Sequence, residues 1–318
     1  MLTVGETGES ALHTLARRGE LLIDIHPFVA RIQAPQAAVA HDLSVVYADF
    51  PVIEPQSFAD FHVAVLPDWG LRRWFRPLVR FHFDGVQAFT PLQADHATVS
   101  LEWGLNWCVS THCHQFLVIH AAVVERHGMA LILPAPPGSG KSTLCAALVQ
   151  RGWRLLSDEL ALYDPLSKTV FGMARPINLK NKSIDVLAGF APDAHLTAPV
   201  RNTSKGTVAL LRPPADSVRR SREPAKPRWV VLPRWAPGAP TRLVPHSRAK
   251  AFMLLVEQCF NYDVLGRRGF EVLAGLVDQC ECFEFSYSRL DEAIRLFDAL
   301  ADASVVASGH VADHTSAA

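Results

Sequence analysis

The chain has 318 residues, 49% of them hydrophobic, with 31 basic and 31 acidic side chains and a formal net charge of +0. That composition is ample for one large core or two, and with no net charge no global field recruits nucleic acid or an anionic lipid surface. No apolar run reaches about 18 residues and no signal-peptide arrangement opens the chain, so a cytoplasmic protein without membrane insertion is expected.

Residues 1–111 read as a smaller α+β layer. Leu21 to Gln33 alternates in polarity with His26-Pro27 at the bend, which predicts a β-hairpin. A helix from Ala37 to Tyr47 follows, then a strand Phe61 to Leu66, then Arg80 to Phe83 turning at Asp84-Gly85 into Val86 to Phe89. Arg72, Arg73, Trp74 and Arg76 form a basic, aromatic cluster able to bind an acidic partner; the plainer reading is a solvated loop anchored by its tryptophan. Thr98 to Phe116, with Leu101, Leu105, Trp107 and Cys108 among its apolar positions, predicts a helix joining this layer to the next.

Val118 to Glu125 and Met129 to Leu133 read as strands around a hairpin turn at Arg126-His127-Gly128. His120 then lies on the strand beside the second of these, either as a satisfied core histidine or as part of a site. The following segment, Ala135-Pro136-Pro137-Gly138-Ser139-Gly140-Lys141-Ser142, has the phosphate-loop pattern, with alanine where the first glycine is usual. A Cβ is costly at that position if it takes a positive φ. Ser142 to Gln150 continues as a helix with Leu144, Ala147 and Leu148 on one face.

A triphosphate is best held by several backbone N–H groups converging on its oxygens. Gly138 and Gly140 permit the close approach and unusual angles, and the new helix points its positive dipole end at the anion. Pro137, Gly138, Ser139, Gly140, Lys141, Ser142 and Thr143 are the nucleotide-binding candidates, with Lys141 on the β- and γ-phosphates and the Ser142 hydroxyl on Mg²⁺. A second strand, Arg154 to Ser157, ends in Asp158-Glu159. In an open parallel sheet those acids face the loop, one coordinating Mg²⁺ and the other accepting a proton from an attacking hydroxyl; the alternative is an exposed acidic turn.

Past Asp164 the chain reads as rich in loops. Leu179 to Lys182 and Arg201 to Gly206 place Lys180, Arg201 and Lys205 where they could close on phosphates or a peptide, or simply be solvated. Pro213 to Pro227, carrying Arg219, Arg220, Arg222 and Lys226, reads as an exposed excursion before a strand Trp229 to Leu232. Helices follow at Ser247 to Gln258 and Val264 to Val277, a strand at Cys280 to Tyr287 and a closing helix at Leu290 to Leu300, with residues 304–318 a disordered tail. The six cysteines form no zinc pattern: Cys280-x-Cys282 and His112-Cys113-His114 each lack a second ligand pair, and reduced, buried thiols are expected.

The residues from about Val118 to Asp164 resemble HPr kinase/phosphorylase, a bacterial protein-serine kinase with a phosphate loop, and more closely the HprK-related kinase A proteins. His120 with a small residue after it, the loop, and Arg151-Gly152-Trp153-Arg154-Leu155-Leu156-Ser157-Asp158-Glu159 carry the likeness. Toward the related kinases it extends through Arg175 to Asn181, Thr203 to Thr207 and Phe260-Asn261-Tyr262. The resemblance implies an α/β P-loop nucleotide-binding domain of the HPr-kinase type over residues 112–303, preceded by the smaller α+β domain. It implies catalytic roles for His120, Lys141, Asp158 and Glu159, metal ligation by Ser142, Asp158 and Glu159, ATP and Mg²⁺ as cofactors, and a serine or threonine of a protein or peptide as acceptor. Thr143 stands where the parent kinase has an acid, and its later Arg-Gly signature has no counterpart here, so the reversed, phosphorylase half is left open. A small-metabolite kinase and a nucleotide-gated binding module without transfer activity are the rival readings, and self-association is left open.

Overall fold

The computed structural model describes residues 2–68, 74–136 and 138–315. Arg72, Arg73 and Pro137 lie outside these, and Trp74 and Arg76, the rest of the basic cluster, are exposed. Mixed α/β architecture runs through two large sheets and one small one.

The first sheet is built from residues 21–93. Its hairpin is as expected, Leu21–Asp24 pairing antiparallel with Val29–Gln33. The chain then crosses through the helix Ala37–Val46, which buries Val39, Ala40, Leu43 and Val46, and returns as Phe61–Pro67 parallel to Val29–Gln33. Leu78–Phe83 turns at Asp84-Gly85, both with positive φ, into a short strand Val86–Gln87. A helix absent from the sequence reading, Glu9–Arg18, buries Leu12 and Ala16 and stops at Gly19, whose left-handed φ of 71° suits glycine. Ala97–His112 packs across Phe61–Pro67 and Leu78–Phe83. It comes so close that a Cβ on Gly104 would meet the Phe81 ring at 2.0 Å.

The second sheet has eight strands. Leu117–Arg126 and Met129–Pro134 form the expected hairpin, with His127 and Gly128 at positive φ in the turn. Met129–Pro134, Lys226–Trp235 and Glu281–Tyr287 then run parallel, and Arg242–Pro245 closes that edge antiparallel. The open parallel sheet expected around Arg154–Ser157 is corrected here: that strand pairs antiparallel with Leu117–Arg126. Because Leu117–Arg126 is also antiparallel to Met129–Pro134, the two outer strands still point the same way.

The loops expected past Asp164 are largely structured. Ile177–Lys180, Gly206–Leu211 and Val200–Thr203 make a three-stranded sheet, and Lys182–Phe190 is a helix. Arg201 to Gly206 is therefore the end of a strand and a tight β-turn. Pro213 to Pro227 is not an exposed excursion: Ala215–Arg219 is helical, and Ser217 Oγ accepts the Leu155 N–H at 2.9 Å. Arg154, paired in the interior with Glu125, donates to the carbonyls of Arg220 at 2.7 Å and Glu223 at 2.8 Å. The closing helix runs Leu290–Thr315, past the point where composition suggests a tail, with Ser304 9% exposed and its hydroxyl on the Leu300 carbonyl.

One buried cluster crosses between the layers, joining Leu21, Phe61, Phe81 and Leu105 to Val118, Leu160, Leu162, Met173, Leu210 and Val218. Among the described residues no helix is long and apolar enough to cross a membrane.

Candidate active site

The apolar strand Met129–Pro134 delivers the chain to a glycine loop, and Gly140 begins the helix Lys141–Val149. Gly138 and Gly140 take φ of 86° and 90°, the backbone that glycine alone adopts without strain. Ala135 is buried and is not among the residues of positive φ, so its Cβ meets no penalty at the usual glycine position. The loop is tied from behind by two residues the sequence did not single out. The Trp235 N–H donates to the Ser139 carbonyl at 2.9 Å, and the Tyr287 hydroxyl donates to the Gly140 carbonyl at 3.0 Å. Trp235 and Tyr287 are register partners at the carboxyl ends of two parallel strands, which is why both arrive at the loop.

Arg154–Ser157 ends just before Asp158-Glu159, as expected, and the chain resumes at once as a further strand, Leu160–Asp164. Arg154–Ser157 and Leu160–Asp164 lie along the same edge of Leu117–Arg126, with a register shift between Leu155 and Ser157. Such a bulge re-aims side chains next to a site. It leaves the two acids level with the glycine loop and His120 opposite Leu160.

The environments of the acids differ. Asp158 is 5% exposed, one carboxylate oxygen accepting the Asn178 N–H at 3.1 Å and the other, Oδ1, unpartnered. Burial raises its pKa above the usual carboxylate range, against the pull of Lys141. For Glu159 burial also disfavours ionisation, but Lys205, Lys180, Lys141 and His120 outweigh it and hold the carboxyl low. Lys180 and Lys205 stand 3.6 and 4.0 Å from Glu159, and Asn106 Nδ2 donates to its other oxygen. Two neighbouring carboxyls with pKa values pushed apart is the pattern that separates a base from a fixed charge.

Lys141 is 8% exposed, and its ammonium lies 3.1 Å from His120 Nε2. Burial and the Lys141 charge push the His120 pKa down to about 4, so the ring is neutral. Nδ1 then donates to Gln258 Oε1 at 3.3 Å, leaving Nε2 to accept from Lys141. Burial also lowers the Lys141 pKa, with Asp158 and Glu159 restoring part of it.

His120 and Glu159 line a cleft of about 660 Å³ with Gly138 to Thr143, Asn178, Lys180 and Trp235. His120, Lys141, Ser142, Thr143 and Glu159 are thus together, and Asp158 borders them through Asn178 and a small polar cavity behind. Of the three later cations Lys180 and Lys205 join the site, whereas Arg201 is exposed and contributes only its carbonyl, to His96. Among the described residues no group of three or more His, Cys, Asp or Glu side chains could hold a metal ion. A hard cation shared with phosphate oxygens needs only one or two protein ligands. The unpartnered buried oxygens Asp158 Oδ1 and Asn178 Oδ1 are of the right kind. Asn178, Asn106, Gln258, Trp235 and Tyr287 were not marked as site residues by sequence; of these, Asn106 carried a signal, a polar side chain on a largely apolar helix.

No family model matches the chain. Among curated proteins it is similar to HPr kinase/phosphorylase of Streptococcus thermophilus, 31% identical over 68 residues, which is 21% of this chain and 22% of the relative. It is also similar to HPr kinase/phosphorylase of Streptococcus salivarius, 29% identical over 126 residues, 37% of this chain and 39% of the relative. The matched regions thus span about a fifth to two fifths of the length of these relatives. Among solved structures it is similar to the Hpr(Ser) kinase/phosphatase from Coxiella burnetii at 9% identity and a TM-score of 0.24, over 60% of this chain and 98% of that one.

Proposed function

We propose that this chain, which its curated relatives support as HPr-kinase-related, is an ATP-dependent phosphotransferase acting on a serine or threonine hydroxyl of a protein or peptide. The observation that carries the reading is one cleft holding a glycine loop at a helix N-terminus, a buried lysine and Glu159, with Asp158, its neighbour of oppositely shifted pKa, buried directly behind. In this reading the backbone from Gly138 to Ser142 and the Lys141 ammonium hold the triphosphate, and Trp235, Val186 and Leu290 form the apolar end of the cleft for the base.

Asp158 accepts the proton of the acceptor hydroxyl as its oxygen bonds the γ-phosphorus and the bond to the β-phosphate oxygen breaks, releasing ADP. A carboxyl raised toward neutrality is the better base of the two. Glu159 stays ionised and gathers Lys180 and Lys205 toward the transferred group, and neutral His120 fixes the Lys141 ammonium. Ser142 and Asn178 are the residues that would hold Mg²⁺, which when bound would neutralise charge on the phosphate oxygens, leaving Asp158 Oδ1 free for the proton. The acceptor class follows from the resemblance to the protein-serine kinases.

Asp158→Asn tests the assignment. Phosphoryl transfer from labelled ATP, to acceptors in a lysate or to water, should fall by roughly 10² to 10⁴ while ATP affinity by calorimetry stays near wild type. Full activity in this variant would remove Asp158 as base. Label appearing only on a small metabolite would move the acceptor to that class.

A further inference from the structure

Helix Ala97–His112 belongs by its packing to the first layer, yet Glu102, Trp103 and Asn106 reach Arg175, Lys205 and Glu159 of the second in turn. Asn106 follows Glu102 by four residues and Trp103 by three, so it neighbours both on the helix surface. Lys205 Nζ lies 4.6 Å over the Trp103 ring. Asn106 Oδ1 accepts from Arg175 Nη2 at 2.5 Å, and its Nδ2 donates to Glu159 Oε2. The amide has a single sensible orientation there, because only its oxygen can face the guanidinium and only its NH₂ the carboxylate.

Arg175, 5% exposed, is anchored in turn: Glu102 presents its carboxylate at 3.3 Å and its backbone carbonyl at 3.3 Å, and the Tyr47 hydroxyl donates to Glu102. Two further guanidinium nitrogens of Arg175, Nε and Nη1, are buried without a protein partner in the cavity it shares with Asp158 and Asn178. The lysines at Glu159 are flexible point charges at 3.6 and 4.0 Å, which attract the carboxylate without orienting it. Among the described residues the Asn106 amide supplies its directional bond.

We propose that Asn106, keyed by Arg175 and Glu102, is a positioning residue that fixes Glu159 so that the carboxylate presents Lys180 and Lys205 to the transferred phosphoryl group. This rests on reading Lys141, Asp158 and Glu159 as a phosphoryl-transfer site. It makes the first layer part of the active site rather than an appendage, since the residue that sets Glu159 is carried on its helix.

Asn106→Asp is the test, because it keeps the volume and the acceptor for Arg175 and replaces the N–H donor to Glu159 with a carboxylate oxygen, which repels Glu159 instead of holding it. The expected result is a fall in kcat of roughly 10²-fold with ATP Kd within about twofold of wild type, out of proportion to any lowering of the melting temperature. Tyr47→Phe provides the contrast. It unpairs a Glu102 oxygen three links away, so it should lower the melting temperature while kcat stays within about twofold of wild type. An active wild type with an equally active Asn106→Asp overturns the inference alone. Loss of kcat in both variants in proportion to lost stability also overturns it, since the network would then be structural. A wild type that binds ATP but transfers no phosphoryl group to any acceptor or to water overturns the kinase reading and this inference together.

Discussion

His120 gains from Lys141 a hydrogen bond that it can accept only while neutral, and that has a measurable consequence. An unfolded chain takes up this proton near the ordinary pH of 6.5, whereas the folded ring, buried beside a cation, takes it up only at about 4. Between those values the unfolded state binds more protons, so acidification through the window favours unfolding and the stability present at neutral pH is lost as pH falls. Allowing for the partial exposure of the ring, the contribution is on the order of 2 kcal/mol. His120→Gln retains a polar side chain that does not titrate. Denaturant melts from about pH 7 to about pH 4.5 should therefore show a shallower loss of stability in that variant than in wild type. Parallel curves for the two proteins would mean that His120 is protonated alike in both states. The same residue illustrates the limit of reading polarity patterns, since a histidine in an apolar strand looks identical whether its partner is a carbonyl or the lysine of a glycine loop.

At the level of elements, the glycine loop separates two glycines of the same φ. A Cβ on Gly138 meets nothing within 4 Å, whereas one on Gly140 would lie 2.5 Å from the Tyr287 hydroxyl and 2.8 Å from Trp235 Cβ. Gly138→Ala should pay only for its left-handed backbone, about 1–2 kcal/mol. Gly140→Ala adds a clash and should destabilise the fold by more, with ATP binding lost first, as the loop shifts off Tyr287. In a Tyr287→Phe background part of that clash is gone, so the two substitutions should be less than additive in stability. Strict additivity would show that the loop moves without meeting Tyr287. The loop, its strand and its helix were legible because a long apolar run and a 3.6-residue period are local signals. The bulge at Leu156 and the small sheet were not. Val200–Thr203 has no buried residue and no alternation, and its pairing with Gly206–Leu211 supplies the order that its own sequence lacks. Trp235 and Tyr287 read as ordinary strand residues because their meeting with the loop depends on the register between strands more than forty residues apart in the chain.

Across the whole molecule, the sequence suggested a division at residue 112, and the packing argues that the two sides need one another. Val118, Leu160, Leu162, Met173, Leu210 and Val218 are buried in the cluster that also holds Leu21, Phe61 and Phe81. Polar contacts repeat the connection: Arg212 pairs with Asp49 at 2.7 Å, Arg222 with Asp24 at 2.7 Å, and Arg175 with Glu102. Exposing six apolar side chains at about 1.5–3 kcal/mol each forfeits on the order of 10 kcal/mol, as much as the whole stability of an ordinary domain. Arg175 would also lose the carboxylate that compensates its buried charge, a further penalty of about 3–5 kcal/mol. A protein consisting of residues 112–318 should therefore melt without a cooperative transition, or aggregate, and fail to bind ATP even though it carries the complete glycine loop and both acids. Adding residues 97–111 restores Glu102 and Asn106 but not the sheet on which their helix rests, so that longer fragment should fail as well. A sharp thermal transition together with wild-type ATP affinity in the 112–318 fragment would instead make residue 112 a true domain edge and reduce the contacts across it to a surface association.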